Sequence, residues 1–234
     1  MTTAQILREL EAAGTEQNRR VYRRHGVSGA VFGASYAVQR ALAKKAGRDT
    51  KLAEGLWASG NHDARVLATL VADPATIPAG TVDAWARDLD NYIIADAFSV
   101  LVSQTPHAAA RAAKWENSAN EWLGAAAWNI IGTLSAKSDG FDDRTVMALL
   151  DTIESDIHDR RNRVRYAMNN ALIAIGLRGA AFEQRALAVA KAIGKVDVDH
   201  GETGCKTPDA ASYIVKASAH NKAKAARKSA KARR

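Results

Sequence analysis

One cysteine and four prolines are all that 234 residues hold of either type. A lone thiol, Cys205, excludes an internal disulfide and suits a reducing compartment. No stretch reaches the roughly 18 consecutive apolar residues that a membrane span needs, so no membrane partner is expected. Residues 1–10 carry early charges and no continuous apolar core, unlike a secretory signal. The period-two alternation of a strand is also missing, and helical periodicity takes its place almost everywhere. Acid is absent from the last fifteen residues. These absences together predict an all-α, cytoplasmic protein.

What that acid-free end contains is H-N-K-A-K-A-A-R-K-S-A-K-A-R-R, with seven lysines and arginines from His220 to Arg234. They account for most of the net charge of +8, because elsewhere 26 basic residues face 25 acidic ones. Such a segment buries no core and is expected to be a disordered tail over 220–234. Its natural partner is a polyanion, since each phosphate contact releases condensed counterions. Lys222, Lys224, Arg227 and Lys228 are its first candidate DNA contacts. A solvated tail and an anionic membrane surface are the alternatives, the latter without apolar anchors.

Residues 1–219 read as a single domain of about a dozen helices joined by short turns. The spacing predicts helices over 4–13, 15–24, 35–46, 49–58 and 61–72. A further one is capped at Thr81 and carries Trp85, Leu89, Tyr92 and, after a kink, Asp96. Others are predicted over 106–115, 119–134, 142–157, 160–177, 181–193 and 208–219, the last with Thr207 as N-cap and Pro208 at its first position. No strict repeat period is present. Short links force neighbouring helices into antiparallel pairs, which favours an irregular α-solenoid over one closed bundle.

Three groups of residues could carry chemistry. On the helix after Arg160, Asn162, Arg165, Tyr166 and Asn169 follow i, i+3, i+4, i+7 spacing and share one face. Arginine and asparagine there can grip phosphate or sugar oxygens; the same face can instead hydrogen-bond a neighbouring loop. Trp85, Leu89, Tyr92 and Asp96 place aromatics and a carboxylate together. Aromatics so spaced are commonly core, while a carboxylate can stabilise a cation forming beside it. The stretch 194–209, G-K-V-D-V-D-H-G-E-T-G-C-K-T-P-D, gathers His200, Glu202, Cys205 and Lys206 between glycines. Its spacing matches no strong zinc signature. A structural loop, a phosphate or sugar contact through Lys206, and a metal-dependent or Cys/Lys-dependent site are all open. The contact reading expects His200, Glu202 and Lys206 to converge near Arg165 and Asn169.

Four segments taken in order resemble the AlkD-like DNA alkylation repair family of HEAT-like helical-repeat proteins. They are K-L-A-E-G-L-W-A-S-G-N-H-D-A-R-V-L-A (51–68), W-A-R-D-L-D-N-Y-I-I-A-D (85–96), E-W-L-G-A-A-A (121–127) and N-R-V-R-Y-A-M-N-N-A-L-I-A-I-G (162–176). The likeness spans about 26–194. It implies a HEAT-like α-solenoid with a concave face that cradles DNA. In the best-known branch it also implies hydrolytic removal of N3- or N7-alkylated purines without base flipping, with no cofactor. That chemistry uses two tryptophans, an aspartate and an arginine. Asp96 matches the aspartate and Tyr92 stands at the first tryptophan. Asn170 stands at the second, and Ala125 replaces the arginine.

The expected protein is therefore a monomeric, nucleoid-associated DNA repair protein that binds damaged duplex DNA. Asp96 and Tyr92 are its catalytic pair, and Arg165, Asn169, Lys206 and the tail hold phosphates. His200, Glu202 and Cys205 form a second site, with no resident metal. The alternative is a non-catalytic helical-repeat protein for distorted or branched DNA.

Overall fold

Polar side chains decide where most helices start. The computed structural model describes the backbone of residues 1–137 and 139–232, and their side chains through Lys224 together with Arg227. Among these residues the chain forms thirteen α-helices, one 3-10 turn and no strand. Thr2, Thr15, Ser35, Asp49, Asn61, Asn91 and Asp142 each accept a first-turn backbone N–H at a helix start, satisfying donors that the helix itself leaves open.

The chain divides into two compact units, residues 1–130 with 200–205, and residues 131–199 with 206–234. The first holds α1 (Thr3–Ala12), α2 (Glu16–Arg24), α3 (Tyr36–Ala46), α4 (Thr50–Ala58), α5 (His62–Val71), α6 (Ala79–Ala86), α7 (Tyr92–Val102) and α8 (Ala108–Trp115). The unit boundary falls within α9 (Glu121–Ser135). The second holds α10 (Asp143–Asp156), the 3-10 turn Ile157–Asp159, α11 (Asn162–Gly176), α12 (Ala180–Ile193) and α13 (Ala210–Ala232).

Helix α5 is the centre of the first unit. Eight of its ten residues are buried, and it packs against α3, α4 and α7. Trp57 of α4 stacks flat on Trp85 of α6, with ring centroids 4.4 Å apart, and its Nε1–H donates to Asp88 at 2.8 Å. Trp85 is thus core. The single helix expected from Trp85 to Asp96 is in fact two, because Asn91 leaves the helical conformation and accepts the Ile94 N–H to open α7.

A buried carboxylate holds the loop between α2 and α3. Asp63 Oδ2 accepts the N–H groups of Phe32 (2.7 Å) and Gly33 (3.1 Å), and its Oδ1 accepts from Gln39 (3.3 Å). The carbonyls of the same loop turn the other way, toward α2. Phe32 O accepts from Arg19 (2.9 Å), Gly33 O from Asn18 (3.0 Å) and Ala34 O from the Tyr22 hydroxyl (2.7 Å). Gly33 has φ +84°, and a Cβ there would lie 2.6 Å from Thr15 O, so only glycine fits. Helix α2 buries no residue of its own; these hydrogen bonds attach it.

In the second unit α11 supplies more of the core than any other helix, through Val164, Met168, Leu172 and Ile175 among others. Arg178 ties down the segment after α9, donating to Ser135 O (3.0 Å), Phe141 O (2.9 Å) and Asp143 (2.9 Å). The last helix departs from expectation at both ends. Asp209, not Thr207, is its cap, accepting the Ser212 N–H at 2.8 Å. It continues past 219 to Ala232, so the basic segment expected as a disordered tail extends a helix, in keeping with the strong helix preference of Ala, Lys and Arg.

Asp63→Ala leaves two buried backbone N–H groups without an acceptor, at about 1–3 kcal/mol each. We expect a loss of about 3 kcal/mol in urea denaturation. His62 beside it gives a pH test. Burial pushes its imidazole down to about 4, assisted by the charges of Arg65 and Arg23 against the opposing pull of Asp90. The unfolded state then binds more protons than the folded state between about 4 and 6.5, so this contribution to stability falls as pH drops through that window. At 1.36 kcal/mol per unit the loss approaches about 3 kcal/mol. Burial raises Asp63 and works in the opposite sense, so the quantity to measure is the difference between wild type and His62→Gln across pH 4–7.

Candidate functional site

Tyr92 and Asp96 lie one turn apart on α7 and line the same cleft of 370 Å³. Opposite walls come from Val66, Thr69 and Leu70 of α5 and from Tyr36 at the start of α3. Ile93, Ala97 and Val100 complete an apolar lining. Asp96 is exposed, and its Oδ1 accepts from the Asn129 amide at 2.8 Å. The Tyr92 hydroxyl is hydrogen-bonded to His25 Nδ1 at the end of α2. The expected pair therefore shares one cleft, with the carboxylate oriented by Asn129 and the phenol by His25. A carboxylate in this position can stabilise developing positive charge, and the aromatic ring can bear on a sugar or base.

A basic edge adjoins this cleft. Arg40, Lys44 and Arg48 surround a shallower depression of 260 Å³ that shares Arg48 and Leu70 with the first. Arg48 is anchored by its Nη1, which donates to Leu70 O (3.1 Å) and Ala72 O (2.8 Å) at the end of α5. Arg40 and Lys44 are exposed and make no ion pair among the described residues. Sequence reasoning missed Tyr36, Arg40, Lys44 and Arg48. The signal was present in the 36, 40, 44 spacing, which places an aromatic and two cations on one side of α3.

The stretch 194–209 proves to be two pieces. Residues 194–199 and 206–209 belong to the second unit, and 200–205 group with the first. The polar face of α11 binds the former pieces. Asn162 donates to Asp199 O and accepts the Asp199 N–H, both at 2.7 Å. Asn169 is 1% exposed and gives its amide to Pro208 O at 3.0 Å. It is a buried clamp on the chain entering α13, which corrects its assignment as a DNA contact. Arg165 is half-buried, and its Nε lacks a hydrogen-bond partner among the described residues. Asp197 nearby is held below the usual carboxylate range by its hydrogen bond and ion pair with Lys195, and more weakly by Arg165.

His200 and Glu202 group with the first unit, whereas Arg165 and Asn169 belong to the second. The turn is built locally, Thr203 Oγ1 donating to His200 O (2.8 Å) and accepting the Cys205 N–H (3.3 Å). Glu202 and Cys205 face Arg24 and His25 across a polar depression of 300 Å³. Lys206, in the second unit, is exposed. No three His, Cys, Asp or Glu side chains stand close enough to hold a metal ion among the described residues. On α13, Lys222 pairs with Glu183 at 3.0 Å, whereas Lys224 and Arg227 are exposed. The Lys228 side chain lies outside the described residues. Of the other altered family positions, Ala125 is buried and Asn170 half-buried.

Residues 6–214 match the family model described as DNA alkylation repair enzyme. An uncharacterized protein of Listeria innocua is 28% identical over 228 residues, covering 93% of this chain and 97% of its own. One from Listeria monocytogenes is 27% identical with the same coverage. A solved structure superposes with a TM-score of 0.84 at 29% identity, covering 92% of this chain and 93% of its own. That protein is described as one of a new family related to the HEAT-like repeat DNA glycosylases, with affinity for branched DNA structures. The all-helical fold here matches that HEAT-like architecture.

If Asn169 is a clamp, Asn169→Ala lowers unfolding free energy by about 1–3 kcal/mol by stripping a buried carbonyl of its donor. Lys206→Ala, at an exposed position, stays within about 0.5 kcal/mol of wild type. Urea denaturation of the two variants checks both.

Proposed function

The chain belongs to the DNA alkylation repair enzyme family, and from that premise we propose that it binds distorted or branched duplex DNA through the cleft and basic edge of its first unit. The observation that carries this reading is the junction of an apolar, tyrosine-lined cleft with Arg40, Lys44 and Arg48. Cations at the rim neutralise phosphates without reading sequence, and the cleft supplies the contact that an undistorted duplex would not need. The likeness to a protein with affinity for branched DNA supports it. Ala125 and Asn170 support recognition over excision, since neither can grip a phosphate by a guanidinium or present an aromatic face.

Excision of N3- or N7-alkylated purines is the second reading, favoured by Tyr92 and Asp96 sharing one cleft. Alkylation makes the base a good leaving group, so the step is water addition at the sugar anomeric carbon with loss of the purine. Asp96 would stabilise the oxocarbenium ion or orient the water, and Tyr92 would bear on the sugar. Arg165, Lys206 and the exposed cations of α13 would hold phosphates.

Binding to a three-way junction, a fork and a plain duplex, set beside base release from N7-methylguanine and N3-methyladenine DNA, separates the two readings. The first expects branched DNA to bind at least about tenfold tighter than duplex, whatever the release assay gives. The second expects release, with Asp96→Asn lowering its rate by at least about tenfold at similar or higher affinity, because a charge that stabilises the transition state and repels DNA is removed. Absence of release from wild type ends the second reading. Deleting residues 221–234 flattens the salt dependence of duplex binding by up to about five in log–log slope, at about 0.9 per phosphate and with Lys222 already paired.

A further inference from the structure

We propose that the 370 Å³ cleft receives a single unpaired nucleobase at a DNA branch point, while Arg40 and Lys44 hold the phosphates flanking it. The inference rests on the DNA-binding reading above and adds what occupies the site. Its starting point is the exposure of large apolar side chains. Tyr36 is 53% exposed and Val100 60% exposed, the latter more than any other large hydrophobic residue of the described surface. Both line this one cleft. Leaving them in water costs free energy, and apolar surface gathered at a cleft marks a binding site.

The lining then limits the ligand. The volume falls within the range of about 300–1,000 Å³ typical of small-ligand pockets. Its lining is mostly apolar, from Val66, Leu70, Ile93 and Ala97, with polar groups from Arg48, Thr69, Asp96 and Gln104. A flat heterocycle with polar edges meets these demands. Tyr36 is positioned at the lip to stack on it, and every base offers a face for such stacking.

Charge identifies what the ring is attached to. Arg48 lines the cleft, and Arg40 and Lys44 line an adjoining depression that shares Arg48 and Leu70 with it. A neutral small molecule would use the cleft and ignore the edge. A nucleotide within a strand uses both, its base inside and its phosphates on the rim. Extruding a paired base costs unstacking and unpairing, whereas a branch point offers a base already unpaired. The structure thereby links an apolar cleft to discrimination between branched and continuous DNA.

The test uses the full chain and fluorescence anisotropy with a fork whose junction carries one unpaired nucleotide. Two control DNAs are the same fork with an abasic site there, and a continuous duplex. We expect the abasic fork to bind at least about fivefold more weakly than the intact fork, the lower end of what one base–aromatic stack provides. Tyr36→Ala and the uncharged Val100→Asn, both exposed substitutions that spare the core, should weaken the intact fork by a similar factor and leave the abasic fork unchanged. Arg40→Ala with Lys44→Ala should flatten the salt dependence on both forks by about 1.4, at about 0.7 per single-strand phosphate. Equal affinity for intact and abasic forks overturns the inference, as does an equal effect of Tyr36→Ala on both, while the DNA-binding reading survives. A wild-type chain that binds no DNA, or duplex as well as fork, overturns both.

Discussion

The buried carboxylate of Asp63 is the constraint on which the first unit depends. It stands at the N-terminal end of the most buried helix and satisfies backbone donors of a loop 30 and 31 residues away in sequence. That loop faces two ways, with N–H groups inward to Asp63 and carbonyls outward to Arg19, Asn18 and Tyr22. The arrangement is charged with consequences for its neighbours. Burial, and then the nearby Asp63 charge, push the Tyr22 hydroxyl up to about 12, so it stays protonated and keeps donating to Ala34. Helix α2 then delivers His25 to the Tyr92 hydroxyl. A carboxylate in the core thus governs the placement of an aromatic ring in the cleft through a relay of hydrogen bonds.

Helix existence was legible because it is local. Capping residues and a 3.6-residue apolar period announce themselves within a few positions, and Thr15, Ser35, Asp49 and Asp142 cap where the sequence suggests. Two boundaries were not legible. Trp85, Leu89, Tyr92 and Asp96 keep helical spacing across a real break, since Asn91 is as able to cap as to continue. At the other end of the chain, net charge suggested disorder while the alanine, lysine and arginine content favoured a helix, and the helix prevailed to Ala232.

The site was legible in part for the same reason. Tyr92 and Asp96 are one turn apart, and their shared cleft follows from that spacing once the helix starts at Tyr92. Asn162 and Asn169 were recognisable as a polar face, but only three-dimensional proximity reveals that its partners are Asp199 and Pro208 backbone atoms. Spacing also cannot say that 200–205 leave their sequence neighbours to group with Arg24 and His25. Arg40 and Lys44 escaped notice because cations near a helix end have an ordinary explanation in the helix dipole.

The attachment of α2 carries a dynamic meaning. This helix has no fully buried residue, only half-buried ones such as Val21 and Tyr22. It gives up less hydrophobic stabilisation on detaching than α5 would, and water replaces its outward hydrogen bonds at modest net cost. Its local opening therefore lies below global unfolding on the free-energy scale, and its amides are set to exchange ahead of those of α5. Because His25 leaves with it, each such excursion removes one hydrogen bond from the Tyr92 hydroxyl. The rigidity of one cleft wall is thus a population, set by how often a helix held chiefly by hydrogen bonds lets go.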